Sequence, residues 1–287
     1  MSDTKTKKKN LSPIYLEKKE AEETPRVISR RPRGGKKIVF GWYGGKFSHL
    51  DWLLPLLPDT HHYCEPFAGS GAVLLNRNPA SVETYNDIDG EVVNFFRVLR
   101  EQPEEISRAI ALTPFSREEF YKAIHGSTAR ISTLERARRF YVRARQARTG
   151  LAQTATLGRW ANCKKTSRSG MSGVVSRWLG GVDGLAENRP ALGIINLYDD
   201  DGTLFYCDPP YLHSTRGDSK AYGFEMMDDE HIQLAVALNK IKGKAAISGY
   251  RCDLMDTLYK NWRRFDAPKK YAHSIKKERQ ECLWMNY

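Results

Sequence analysis

The chemistry of this chain concentrates in Asp208-Pro209-Pro210-Tyr211. A carboxylate, two prolines and a phenol ring follow directly on the strand-like run Thr203-Leu204-Phe205-Tyr206-Cys207. Consecutive prolines carry no backbone donors and cannot continue a strand ladder. The chain must leave the sheet just after Asp208, at a strand's carboxyl end, where open α/β sheets bind ligands. A carboxylate, proline carbonyls without strand partners and an aromatic face suit a flat ring bearing an amine. The ring would stack on Tyr211, and its amino hydrogens would point at Asp208 and a proline carbonyl. A polar turn closing a buried strand would use the same residues, so the tetrapeptide alone leaves both readings open.

A second chemical cluster lies upstream. Glu65-Pro66-Phe67-Ala68-Gly69-Ser70-Gly71 stands between a predicted strand near 62–64 and a predicted helix starting at Ala72. Glycines there permit a tight turn and a close approach of backbone to ligand. The run is not a dinucleotide fingerprint, because Leu74 stands where GxGxxG needs its third glycine. Nor is Gly41-Trp42-Tyr43-Gly44-Gly45-Lys46 a phosphate loop: the glycine spacing is wrong and Phe47 follows the lysine. NAD and ATP are therefore disfavoured. Asp87, in Asn86-Asp87-Ile88-Asp89 at the end of the next predicted strand (82–85), could accept hydrogen bonds from two ribose hydroxyls. A helix cap is the competing role for Asp87, and Asp89 suits a cap better.

The elements around these clusters read as strand–turn–helix repeats, the pattern of a parallel α/β sheet. A helix is expected over 47–57, ended by Pro58-Asp59, and another from Asp89 through Arg100. Beyond Thr113 the pattern changes to a helical, basic, loop-rich stretch up to Ala191. There Ser132 or Thr133 can cap a helix on which Arg136, Arg139 and Arg143 form a ridge. Sheet character returns over 203–207 and 244–248, with a helix over 229–238 between them and a closing strand within 279–287.

The 287 residues carry a formal net charge of +12. Residues 121–180 alone hold 13 Lys and Arg against one acid, Glu135, so this stretch matches the net charge of the whole chain. Charge so concentrated, with few acids interleaved, points to a polyanionic partner, although a solvated helix face is the alternative for the Arg ridge. Residues 1–36 read as a disordered basic arm, or simply a solubilising tail. Five separated cysteines and seven histidines show no ligand spacing, which predicts no metal site and no disulfide framework and fits a reducing cytoplasm. No apolar run reaches the ~20 residues of a membrane span, and the Lys-rich start lacks the apolar stretch of a secretory signal.

Taken in order, Phe67-Ala68-Gly69-Ser70-Gly71, Asn86-Asp87-Ile88 and Asp208-Pro209-Pro210-Tyr211 resemble the Dam-type (D12 class) DNA adenine-N6 methyltransferases. Trp42-Tyr43-Gly44-Gly45-Lys46 is similar to that family's N-terminal cofactor segment, and the run Arg279-Gln280-Glu281-Cys282-Leu283-Trp284-Met285-Asn286-Tyr287 to its closing strand. A basic segment between cofactor and catalytic motifs is the order of the α group. The resemblance covers roughly 38–112 and 200–287. It implies a Rossmann-like α/β sheet dependent on S-adenosylmethionine, formed by 37–112 and 192–287, with a mainly helical target-recognition domain inserted over 113–191.

For the site, the resemblance implies that Trp42, Tyr43, Lys46, Glu65, Phe67, Gly69, Gly71, Asp87 and Asp208 line the cofactor pocket. Asp208 and the Pro209 carbonyl, with Pro210 shaping the turn, would polarise the amine of a flipped adenine while Tyr211 stacks on it; Tyr222 or Phe224 would close the pocket. Arg136, Arg139, Arg143, Arg148, Lys164, Lys165 and Arg168 would contact double-stranded DNA. Two other readings stay open: an N-methyltransferase acting on RNA adenine or another planar amine, and a non-catalytic DNA-binding protein that keeps the fold. Nothing in the sequence names a recognition site or a partner restriction endonuclease.

Overall fold

The computed structural model describes residues 35–127, 129–160, 175, 177–178, 186–216, 222–268 and 280–287. Seven strands form one sheet: β1 (His62–Glu65), β2 (Val82–Asn86), β3 (Ala186–Glu187), β4 (Thr203–Cys207), β5 (Lys244–Tyr250), β6 (Arg263–Asp266) and β7 (Glu281–Met285), in the order β3-β2-β1-β4-β5-β7-β6. The first five run parallel, and β7 is antiparallel to both β5 and β6. Every residue of β1 and β4 is buried. That burial on both faces explains why Thr203–Cys207 reads as a continuous apolar run rather than an alternating one.

Alternate residues feed two apolar layers. On one face Tyr63, Leu204, Tyr206 and Leu283 pack with Phe40 and with helix α2 (Gly90–Glu101) through Phe95 and Phe96. On the other, Cys64, Phe205, Ile247 and Trp284 pack against Ile194, Ile195, Leu234 and Leu238.

Helices α3 (Pro103–Leu112), α4 (Arg117–His125) and α5 (Thr133–Gln146) follow α2, and α6 (Ala191–Tyr198), α7 (Asp228–Leu238) and α8 (Asp253–Leu258) come later. Asp89 caps α2 by accepting from the Glu91 amide at 2.9 Å, and Ser132 caps α5 by accepting from Glu135 at 3.1 Å. Two expectations for local structure are corrected. Residues 47–57 form three short helical pieces rather than one, because Pro55 cannot donate within a continuous helix. From Ala72 the chain runs as turns, with isolated bonds from the Leu75 amide to Gly71 and from the Arg77 amide to Val73.

The stretch 113–191 is less separate than its composition suggests. Helix α5 lies directly on α2, placing Phe140 and Tyr141 in the sheet's own core beside Phe95. Trp178 is buried and donates to the Phe96 carbonyl at 3.1 Å, Arg177 pairs with buried Glu83 at 2.8 Å, and β3 joins the sheet beside β2. The expected basic arm lies outside the described residues apart from Gly35 and Lys36. No helix among the described residues is long and apolar enough to cross a membrane, and none of their His, Cys, Asp and Glu form a metal-holding group.

Candidate active site

β1 and β4 are neighbours, yet the chain leaves β1 toward β2 and β3 and leaves β4 toward β5. This reversal opens a crevice at the strands' carboxyl ends, the usual ligand position in such sheets. Glu65 ends β1 and Asp208 follows β4, so the two upstream and downstream motifs meet there. The resulting cleft takes in about 660 Å³ of space, part of it open solvent. Trp42, Tyr43, Lys46, Glu65, Phe67, Gly69, Asp87, Asp208 and Pro210 line it, which brings together the residues expected at the cofactor pocket except Gly71.

Gly69 and Gly71 have φ of 50° and 62°, conformations that side chains disfavour. A Cβ on Gly69 would sit 2.5 Å from the Trp42 indole nitrogen. Asp87 fixes this turn: its carboxylate accepts from the Gly69 amide at 2.8 Å and from the Asp89 amide at 2.9 Å. Burial nevertheless lifts its pKa to about 6, against the pull of those amides. The Gly71 position backs the turn against Tyr85 and Phe96 rather than the cleft.

At the other wall, Lys46 is buried and reaches both oxygens of Asp208, at 2.6 and 2.8 Å, and the Gly44 carbonyl at 2.9 Å. Burial alone would lower the lysine's pKa, but the charges of Asp208 and Glu281 outweigh it and hold it above its ordinary value. Asp208 is pushed up to about 6 by burial, with Lys46 pulling down and Glu281 pushing up. Glu65, fully enclosed, is pushed up to about 8 by burial although Tyr63 donates to it at 2.7 Å. Burial therefore favours its protonated form.

Two members of the tetrapeptide depart from expectation. Pro209 is buried and absent from the cleft lining. The Pro210 carbonyl is already engaged: His231 on α7 donates to it through Nε2 at 3.0 Å, its imidazole held neutral mainly by burial. Tyr211 is 6% exposed; its hydroxyl donates to Glu281, the Lys46 ammonium lies 4.9 Å from its ring centre and Tyr250 packs against it edge-on. A base cannot stack on a ring so covered. The aromatic residues that line the cleft are Trp42, Tyr43, Phe67, Tyr206, Tyr222 and Phe224, the last 46% exposed on a wall shared with an adjoining cavity lined by Phe67, Ile88 and Pro210.

The Arg ridge is engaged with other groups of the protein, although the Arg136 side chain stays 37% exposed. Arg136 pairs with Glu91 on α2; Arg139 bonds Glu135 at 2.8 Å and the Ser127 carbonyl at 2.9 Å; Arg143 bonds the Ala123 carbonyl at 2.8 Å. The sequence showed few acids on this helix because Glu91, the key partner, sits on another one. Arg148 opens the turn after α5, whereas Lys164, Lys165 and Arg168 lie outside the described residues.

Sequence reasoning missed two site residues. Gln153 lines the cleft and bridges Asp89 at 2.9 Å to the Gly223 amide at 3.0 Å. Glu281 binds Tyr211 and lies 3.6 Å from Lys46. Neither sits in a motif whose spacing advertises chemistry.

Comparison with known proteins agrees with this geometry. The chain is 24% identical over 243 residues to a DNA N-6-adenine-methyltransferase of Escherichia phage P1, covering 79% of this chain and 31% of that protein. It is 27% identical over 196 residues to a type II methyltransferase of Lactococcus lactis subsp. cremoris, covering 60% and 64%. A type II methyltransferase of Methanocaldococcus jannaschii is 24% identical over 290 residues, covering 88% and 99%. The chain thus spans about a third of the phage protein's length and under two thirds of the Lactococcus protein's. The profile of the D12 class N6 adenine-specific DNA methyltransferases matches residues 42–163 and 187–279, more than half of the chain and all of the cleft-lining residues, and the chain belongs to that family.

Proposed function

We propose that this chain transfers a methyl group from S-adenosylmethionine to N6 of adenine in double-stranded DNA at a specific sequence, as a Dam-like member of the α group. The observation that carries the reading is the pairing of Asp208 with Lys46 at the β1–β4 crevice, opposite the Gly69–Asp87 turn.

The cleft fits an adenosyl cofactor. Asp87 keeps carboxylate lone pairs for ribose hydroxyls beyond the two amides it accepts from. Phe67 and the 45%-exposed Ile88 offer apolar walls to a purine, and the bare Gly69 turn clears the space between. When bound, the cofactor supplies an electrophilic methyl group. The protein's task is to present an amine whose lone pair is delocalised into its ring. Asp208, held by Lys46, accepts a hydrogen of that amine and favours a pyramidal nitrogen; such prealigned electrostatics carry most of the rate in reactions of this kind. The sequence reading gives the second amine hydrogen to the Pro209 carbonyl; with Pro209 buried and outside the cleft lining and His231 on the Pro210 carbonyl, the polarisation is left to Asp208.

Adenine must leave the stack to reach Asp208, at a cost of a few kcal/mol. Stacking on an aromatic is worth ~1–3 kcal/mol. We assign it to Phe224 and Tyr222, and give Tyr211 a supporting role behind Lys46. DNA recognition is assigned to the stretch 113–191, whose Arg148, Lys164, Lys165 and Arg168 supply phosphate contacts. A cytoplasmic setting follows from the DNA substrate.

The test is methyl transfer from labelled cofactor to duplex DNA, RNA and protein, followed by sequencing of the methylated duplex. Asp208→Ala should abolish transfer and leave DNA binding intact. Near-normal turnover by that variant, or preferential methylation of RNA or protein, contradicts the proposal.

A further inference from the structure

We propose that Glu281, the first residue of β7, is a positioning residue for methyl transfer: it anchors Lys46 and Tyr211 behind Asp208 and supplies the negative charge that keeps Asp208 a good hydrogen-bond acceptor. The inference rests on the reading of Asp208 as the amine's acceptor.

Four side chains close a ring of interactions. Asp208 bonds Lys46; Lys46 lies 3.6 Å from Glu281; Glu281 accepts from the Tyr211 hydroxyl; and the Tyr211 ring underlies the Lys46 ammonium at 4.9 Å. Glu281 reaches this position because β7 runs antiparallel to β5, pairing it with Tyr250, whose ring packs on Tyr211. Its side chain is 11% exposed, so its charge acts through protein rather than through bulk water. The last strand thus meets the catalytic motif across some seventy residues of sequence.

The other groups facing Asp208 do not supply this charge. Lys46, the first residue of the short helical piece Lys46–His49, is the cation of the pair. Tyr206 on β4, Tyr211 after it, and Tyr222 beyond the motif all have phenols pushed above their ordinary value by burial, so they stay neutral. Tyr250 on β5 faces Lys46 and Tyr222. Burial favours the protonated form of Glu65 at the end of β1. Glu281 is therefore the neighbouring carboxylate that pushes up the proton affinity of Asp208. A more basic carboxylate is the stronger acceptor, and an acceptor is most effective when its pKa approaches the working pH.

The substitution Glu281→Gln keeps an oxygen for Tyr211 and removes the charge. Measured with the full chain, labelled cofactor and duplex DNA from pH 5 to 9, it should lower kcat several-fold, leave KM for the cofactor unchanged, and shift the acid limb of the kcat profile down by about one pH unit. Tyr211→Phe should lower kcat without moving the acid limb down, because the Glu281 charge remains and only a hydroxyl that pulls the Asp208 carboxyl down is lost. An acid limb that stays put in a folded Glu281→Gln protein overturns the inference while the methyltransferase reading stands. Should that variant fail to fold, Glu281→Asp replaces it: the charge is kept and the reach shortened, so kcat should fall with an unshifted acid limb, and an unchanged kcat overturns the inference. A wild-type chain that methylates no duplex overturns both.

Discussion

Replacing Lys46 by Met removes the ammonium while keeping most of the apolar stem. The lysine side chain is 4% exposed and holds both Asp208 oxygens at 2.6 and 2.8 Å, with Glu281 at 3.6 Å. Removing one partner of such a buried pair costs about 3–5 kcal/mol, because the carboxylate left behind keeps its desolvation penalty without its cation. For a chain of this size about 1 kcal/mol corresponds to about 2–4 °C, so the melting temperature should fall by roughly 6–20 °C. The deficit must also depend on pH. Burial already holds the folded pKa of Asp208 at about 6, above its ordinary value of 3.8, and removing Lys46 raises it further. An acid with a raised folded pKa favours the folded state when protonated, and that advantage disappears as pH rises toward the folded pKa. The variant should therefore fall further behind the wild type as pH climbs through about 6, and recover below it. Urea unfolding of both proteins at pH 5 and pH 8 reads this directly. A deficit below about 1 kcal/mol at pH 8, the value of an exposed pair, or one equal at both pH values, would refute the reasoning.

Glu65 should behave in the opposite sense when its charge is removed. Its folded pKa of about 8 lies above the ordinary 4.5, so the wild type loses stability between those values. Glu65→Gln cannot ionise and should gain on the wild type by up to about 5 kcal/mol across that window, seen as unfolding free energies converging or crossing from pH 5 to pH 8. Gly69→Ala must adopt a φ of 50° with its Cβ 2.5 Å from the Trp42 nitrogen, so cofactor affinity by calorimetry should fall at least about tenfold, with about 1–3 kcal/mol of strain in the free protein. Substituting Arg139 and Arg143 by Gln should lower stability and leave the salt slope of DNA binding unaltered, since both guanidiniums are occupied. Substituting Lys164, Lys165 and Arg168 should instead reduce that slope by about one for each phosphate no longer neutralised.

The parts of the fold legible in the sequence were those where local pattern and burial agree. β4 reads as an apolar run, β1, β2 and β4 run directly into Pro66, Asp87 and Asp208, β5 and β7 carry apolar stretches, and Asp89 and Ser132 cap the helices they precede. β3 is two residues long and half-buried, too short to show any period. β6, Arg263–Asp266, is an edge strand with charged, exposed residues, the composition of an edge rather than of a buried strand. The run after Gly71 carries helical spacing, but its two left-handed glycines and the tie from Asp87 to Gly69 hold it in turns.

The site was legible to the same depth. Local motifs located Asp208, Asp87, Lys46 and the glycine turn, and the crevice gathers them at one point. What they could not convey is what each side chain touches, because that depends on residues distant in sequence. Tyr211 carries the signature of a stacking platform, yet Glu281, Lys46 and Tyr250 arrive from three other elements and cover its ring. The Arg ridge has only Glu135 for an acid along its own helix, yet Glu91 comes to meet it from α2. In both cases a side chain read as facing a ligand faces the protein. On the proposed function, the tetrapeptide's chemistry would divide into a front, where Asp208 would meet the amine, and a back, where Tyr211 and Glu281 would hold Lys46 against it. A variant at the back should then change how Asp208 acts without changing what the cleft binds.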